Sequence, residues 1–136
     1  MHDILILVKM LEVSSIMKEN LVSCEPNCKI EKAIKLMAKN DVGSVVVERG
    51  RLVGIFTERD LVKALSKGVS LEAPIREVMS RDPIVALKDE SLESIVHKML
   101  ERGVRHIPIV DSEGRPIGVI SLKDVVRKLY IDCGNI

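Results

Sequence analysis

Two short segments set hydroxyl, cationic and acidic side chains at one spacing: Gly54-Ile-Phe-Thr57-Glu-Arg59-Asp60 and Gly118-Val-Ile-Ser121-Leu-Lys123-Asp124. At a strand-to-helix turn, such a run would gather unpaired backbone N–H groups and the positive helix end at one point, which favours a phosphate. Thr57 or Ser121 adds a hydroxyl donor there, and Arg59 or Lys123 adds a cation. The aspartate cannot serve the anion, because like charges repel. Asp60 or Asp124 would instead accept from paired hydroxyls such as a ribose diol, each charged hydrogen bond contributing about 1.5–3 kcal/mol. A helix cap explains either segment alone, since Ser or Thr followed three residues later by an acid is a capping box. The whole set recurring at a second place favours a ligand, and capping and binding can share one site.

The elements that must position these residues follow from an internal repeat. Val13-Ser-Ser-Ile-Met17 corresponds to Ile75-Arg-Glu-Val-Met79, a shift of 79 − 17 = 62. That shift brings Ile30, Ala33, Ile34 and Met37 onto Leu92, Ile95, Val96 and Met99. Two extra residues enter at Asp111-Ser112-Glu113-Gly114, and beyond them the shift becomes 118 − 54 = 64. A turn is where such a length change costs little.

Each copy predicts a βαββα unit. A short strand, Leu21–Ser23 or Ile84–Ala86, precedes an amphipathic helix at about 29–40 or 91–102. A β-branched strand follows, Ser44–Val47 or His106–Val110, then a glycine-containing turn and a second strand, Leu52–Phe56 or Pro116–Ile120. A last helix begins near Thr57 or Ser121. The first repeat is expected at 10–67, a linker at 68–73 and the second repeat at 74–131, with an arm at 1–9 and a tail at 132–136. A unit of about 60 residues is marginal alone, so the pair is the expected folding unit.

Composition excludes several function classes. The 136 residues carry a formal net charge of +1, which gives no general reason to expect a nucleic-acid or anionic-membrane partner. Phe56 and Tyr130 are the only aromatics, so stacking platforms for single-stranded nucleic acid are missing. The apolar run Ile4–Val8 is too short to span a bilayer and lacks the flanks of a signal peptide. Cys24, Cys28 and Cys133 have neither the density of a disulfide scaffold nor a second Cys/His pair for zinc. A cytoplasmic protein is expected, with no metal. No nucleophile–His–acid set or paired-carboxylate geometry is recognisable, so the chain reads as a non-enzyme.

The paired Gly…Thr/Ser…Asp segments, with Arg105-His106-Ile107-Pro108-Ile-Val110, resemble tandem cystathionine-β-synthase (CBS) domains over about residues 10–131. The resemblance implies an α/β fold of two repeats related by a pseudo-two-fold axis, with sheets packed face to face and helices outside. It implies a regulatory module that takes AMP, ADP, ATP or a related adenosyl compound as its ligand and requires no cofactor. A homodimer and a separate regulated protein are the implied partners. In that reading Asp60 and Asp124 hold ribose hydroxyls, and Thr57 and Ser121 lie near phosphates. Val22 and Ser23, with Pro83, Ile84 and Val85, flank the adenine. Arg105 and His106 reach the phosphates, with Ile107 and Pro108 beside them. Their counterparts in the first repeat are Gly43 and Ser44, so the two clefts are expected to be unequal, with the Asp60 site preferred. A ligand-independent dimerisation scaffold is the alternative.

Overall fold

The computed structural model describes residue 6, residues 8–17 and residues 21–134; most of the expected arm and the end of the tail lie outside them. The chain folds as two α/β repeats. Helix α1 (Ile30–Asn40) buries Ile30, Ala33 and Met37 on one stripe, and α3 (Leu92–Arg102) buries Leu92, Ile95 and Met99 at the matching positions. Strands β2 (Ser44–Arg49) and β3 (Arg51–Thr57) form one antiparallel hairpin. Strands β5 (His106–Val110) and β6 (Pro116–Ser121) form the other. Each hairpin runs straight into a helix, α2 (Glu58–Ser66) or α4 (Leu122–Gly134).

The two hairpins turn differently, as the two-residue shift requires. Gly50 alone reverses the first, with φ at 74°. In the second, Asp111 Oδ1 accepts from the backbone N–H groups of Glu113 and Arg115, both at 2.9 Å. Such an Asx arrangement organises a longer turn without a second strained residue.

The expected first strands are less alike than the repeat implies. Strand β1 (Ser23–Cys24) overlaps the expected Leu21–Ser23 at Ser23 alone, ends one residue later and pairs in parallel with β2. Its counterpart, expected at Ile84–Ala86, is reduced to a single bridge between Ala86 and Ile109. The cause is one residue. Val46 N–H donates to the Val22 carbonyl at 3.0 Å, and the position equivalent to Val46 is Pro108, which has no N–H to offer Ile84.

The repeats are interlaced. A short 3₁₀ turn, Val13–Ser15, packs Val13 into the second repeat's core among Leu92, Ile95 and Ile107. The matching turn, Ile75–Glu77, packs Ile75 into the first repeat's core among Ile30, Val45 and Phe56. Backbone bonds repeat the exchange: Ile30 N donates to Ala73 O at 3.0 Å, and Leu92 N donates to Leu11 O at 2.7 Å. Each donor is an orphan N–H at the start of a helix, so each leader caps the other repeat's helix. Strand β4 (Ser80–Arg81) then joins β3, completing a four-stranded sheet β1-β2-β3-β4 that draws one strand from the second repeat. The two sheets meet where β2 touches β6 and β3 touches β5.

Candidate functional site

Both hydroxyl–aspartate segments lie where β3 and β6 end and their helices begin. In the first, Thr57 N donates to Asp60 Oδ2 at 3.0 Å and Asp60 N donates to Thr57 Oγ1 at 3.2 Å. In the second, Ser121 N donates to Asp124 Oδ2 at 3.0 Å and Asp124 N donates to Ser121 Oγ at 3.1 Å. Both are reciprocal capping boxes, so the bland reading of these residues is fulfilled at each helix start. They also share a wall: a continuous cleft of about 1880 Å³ is lined by Thr57, Asp60, Ser121 and Asp124 together. A cap has no need of a cavity. Two caps, one from each repeat, border one cleft.

Asp60 is 8% exposed and its carboxylate is shared out. Oδ2 takes the Thr57 N–H and also the Thr57 hydroxyl at 3.1 Å, while Oδ1 takes the Ser80 hydroxyl at 2.9 Å. Asp124 is more open to solvent than Asp60.

The remaining expected residues divide cleanly. Arg59, Lys123, Arg105, His106, Val22, Pro83 and Ile84 line the cleft. Arg59 leans across the repeats, Nη1 donating to the carbonyl of Gly103 at the end of α3 at 3.2 Å. Ser23, Val85, Ile107 and Pro108 are placed off that wall. Ser23 borders a separate cavity of about 500 Å³ with Cys24 and Cys28. The Val85 carbonyl is taken by Lys98 Nζ at 2.9 Å. Lys98 is held in turn by both oxygens of Glu90, at 3.0 and 2.9 Å. Ile107 is wholly buried in the second core, because β5 alternates and His106 takes the cleft-facing position. Pro108 is buried as well, its carbonyl accepting from Ala86 N at 3.1 Å.

His106 sits at the junction of the repeats. A methyl group on Gly43 would stand 2.4 Å from Glu58 Oε1 and 3.0 Å from His106 Nε2, so glycine leaves the room both side chains use. Burial lowers the imidazole pKa; the charges of Glu58 and Asp124 pull it back up, and Arg105 adds to the lowering. The neutral ring is thereby favoured, acting as one donor and one acceptor.

The structure adds cleft residues that sequence reasoning passed over. Ser80 has no repeat signal, since the position 80 − 62 = 18 is a lysine. Arg127 and Tyr130 follow Lys123 at helical spacing on α4, and that periodicity was the available clue. Beside Ser23, burial and then the neighbouring Cys28 push the Cys24 thiol up. Among the described residues, no three His, Cys, Asp or Glu side chains are grouped to hold a metal ion, and no helix is long and apolar enough to cross a membrane.

Comparison with known proteins gives the same division of the chain. The CBS domain family matches residues 13–67 and 75–131. An uncharacterized 17.7 kDa protein of Acidianus ambivalens is 36% identical over 120 residues, covering 87% of this chain and 73% of that one. The chain spans 43% and 63% of two longer uncharacterized relatives, from Methanocaldococcus jannaschii and Methanopyrus kandleri. The CBS domain protein PAE2072 of Pyrobaculum aerophilum, solved with AMP, superposes with a TM-score of 0.81 at 25% identity, covering 93% of this chain and 100% of that one. The CBS domain pair of protein MJ0100, solved with 5′-methylthioadenosine and S-adenosyl-L-methionine, gives a TM-score of 0.81 at 28% identity, covering 87% and 98%.

Proposed function

Because the chain belongs to the CBS domain family, in both of its repeats, we propose that its cleft binds an adenosine-containing ligand of the AMP, ADP or ATP type and passes the occupied state to a partner protein. One observation carries this reading: two helix-capping carboxylates, one from each repeat, border a single cleft. The chemistry suits the ligand. Asp60 and Asp124 accept from ribose hydroxyls, while the helix starts at Thr57 and Ser121, with Arg105 and Lys123, offer N–H groups and positive charge to phosphate. PAE2072 with AMP and MJ0100 with S-adenosyl-L-methionine lend the ligand class its support. The reading assigns no catalytic residue and no cofactor.

A second copy of the chain is the proposed structural partner. The helices that close each repeat carry exposed apolar residues along the cleft: Val62 is 65% exposed on α2, while Val126 and Tyr130 are 57% and 80% exposed on α4. Val62 and Val126 are equivalent, since 126 − 62 = 64. Two equivalent apolar helix faces suit a symmetric association, with light scattering as the check.

A ligand-independent scaffold is the competing reading, favoured by Asp60 having both oxygens engaged within the protein. Calorimetric titration with AMP, ADP, ATP and S-adenosyl-L-methionine separates the two. The module gives heat with at least one of these compounds, and the scaffold with none. Asp60→Ala is expected to weaken the ligand at least about tenfold, from ribose hydrogen bonds of about 1.5–3 kcal/mol. Its cap loss of about 1 kcal/mol should leave the fold intact, as a melting curve will verify. Unchanged affinity in the folded variant removes Asp60 from the site.

A further inference from the structure

We propose that Ser80 is a built-in stand-in for a ligand hydroxyl at Asp60, displaced when a ribose takes its place; the inference rests on the adenosine reading above and adds how that site is held and released. The two oxygens of Asp60 have different duties. Oδ2 serves the local capping box through Thr57, three residues away. Among the described residues, Oδ1 receives only the hydroxyl of Ser80, twenty residues away and from the other repeat, at 2.9 Å. A serine hydroxyl is the same kind of donor as a ribose hydroxyl, and it lines the same cleft.

Ser80 is free to yield its place. Its residue is solvent-exposed, so a turn about one bond hands the hydroxyl to water. The backbone of β4 does not depend on that hydroxyl, because Ser80 and Arg81 are paired with Ile55 and Gly54 through the sheet. The capping box is likewise independent of it and would stay closed during the exchange. The equivalent position in the first repeat is Lys18, so this serine has no counterpart in the repeat.

Release of Ser80 also has a path outward. Met79, its neighbour, is buried in the first repeat's core. A methyl group on Gly54 would stand 2.7 Å from both Met79 Sδ and Ser80 O, so β4 lies close against β3. Occupying Asp60 thus removes a side-chain tie to the strand by which the second repeat enters the first repeat's sheet, while the backbone pairing of that strand stays in place.

The test is calorimetric titration of the wild type, Ser80→Ala and Ser80→Thr with adenosine, 2′-deoxyadenosine and 3′-deoxyadenosine. Ser80→Ala is expected to bind adenosine about three- to tenfold tighter, since no charge-assisted bond must be broken first. Ser80→Thr, which keeps the hydroxyl, is expected to match the wild type. The gain should disappear with the deoxy analogue that lacks the replacing hydroxyl, which a change in folding alone would not produce. Binding seen only in Ser80→Ala supports the proposal. Equal or weaker binding by Ser80→Ala, with wild-type binding intact, overturns the role of Ser80 and leaves the adenosine reading standing. Absence of binding by all three proteins, to AMP as well as to adenosine, overturns both.

Discussion

His106 lies where the two repeats touch, and its surroundings set a pH dependence of stability. Burial holds its pKa below the ordinary imidazole value, against the pull of Glu58 and Asp124. The unfolded chain therefore takes up this proton more readily than the folded one. Its contribution is complete above about pH 6.5, and is lost as pH falls through that value toward the lower folded pKa. Glu90 and Asp111, whose pKa values are lowered in the fold, lose their contributions only in the more acidic carboxylate range. Melting curves between pH 7.5 and pH 5, in roughly half-unit steps across the imidazole range, should show the wild type losing stability relative to His106→Gln. Parallel curves would mean the ring is not disfavoured when charged. At this scale the sequence was informative where residue type and repeat position agreed: Thr57, Asp60, Ser121 and Asp124 all reach the cleft. Ser80 was invisible because its importance comes from a contact twenty residues away and lacks a repeat counterpart. Ile107 and Pro108 entered with the motif that carries Arg105 and His106, although alternation turns Ile107 into the core and Pro108 is buried within its strand.

Equivalent elements solve one problem with different residues, and the difference has a measurable cost. Helix α3 ends on Gly103 in the left-handed region at φ 64°, while α1 ends on Asp41 at φ 51°. A left-handed conformation costs a non-glycine residue about 1–2 kcal/mol, although aspartate tolerates it better than most. An acid at a helix C-terminus also opposes the macrodipole. Asp41→Gly should therefore stabilise the protein by about 0.5–1 kcal/mol once glycine's extra unfolded-chain freedom is subtracted. Denaturant titration will register this as a higher midpoint at unchanged slope; a lower midpoint would show that Asp41 makes a contribution beyond its backbone. The helices were legible within a residue or so because their apolar spacing is strong. The first strands were not. Two residues of ladder, or a single bridge where Pro108 withholds an N–H, leave no periodic pattern to read.

At the scale of the whole molecule, the order of residues along the chain and their order in space disagree. Ile75 opens the second repeat in sequence, yet it is wholly buried beside Ile30, Val45 and Phe56 of the first. Ile75→Ala should cost about 2–5 kcal/mol, the range for emptying a large aliphatic site in a core. Amide exchange is expected to accelerate first in α1 and β2, across the repeat boundary. Acceleration confined to α3 and β5 would contradict the interlaced packing. Nothing in the repeat alignment announces this exchange, because Val13 and Ile75 are interchangeable as apolar residues and each could have served its own half.

That crossing of leaders has a consequence for the covalent chain itself. A protease that nicks the exposed turn at Lys67–Gly68 would sever one peptide bond and release nothing, because each fragment keeps a segment lodged in the other. The two pieces, made as separate polypeptides, should find one another and reassemble, much as a clasp closes from two parts that cannot stand alone.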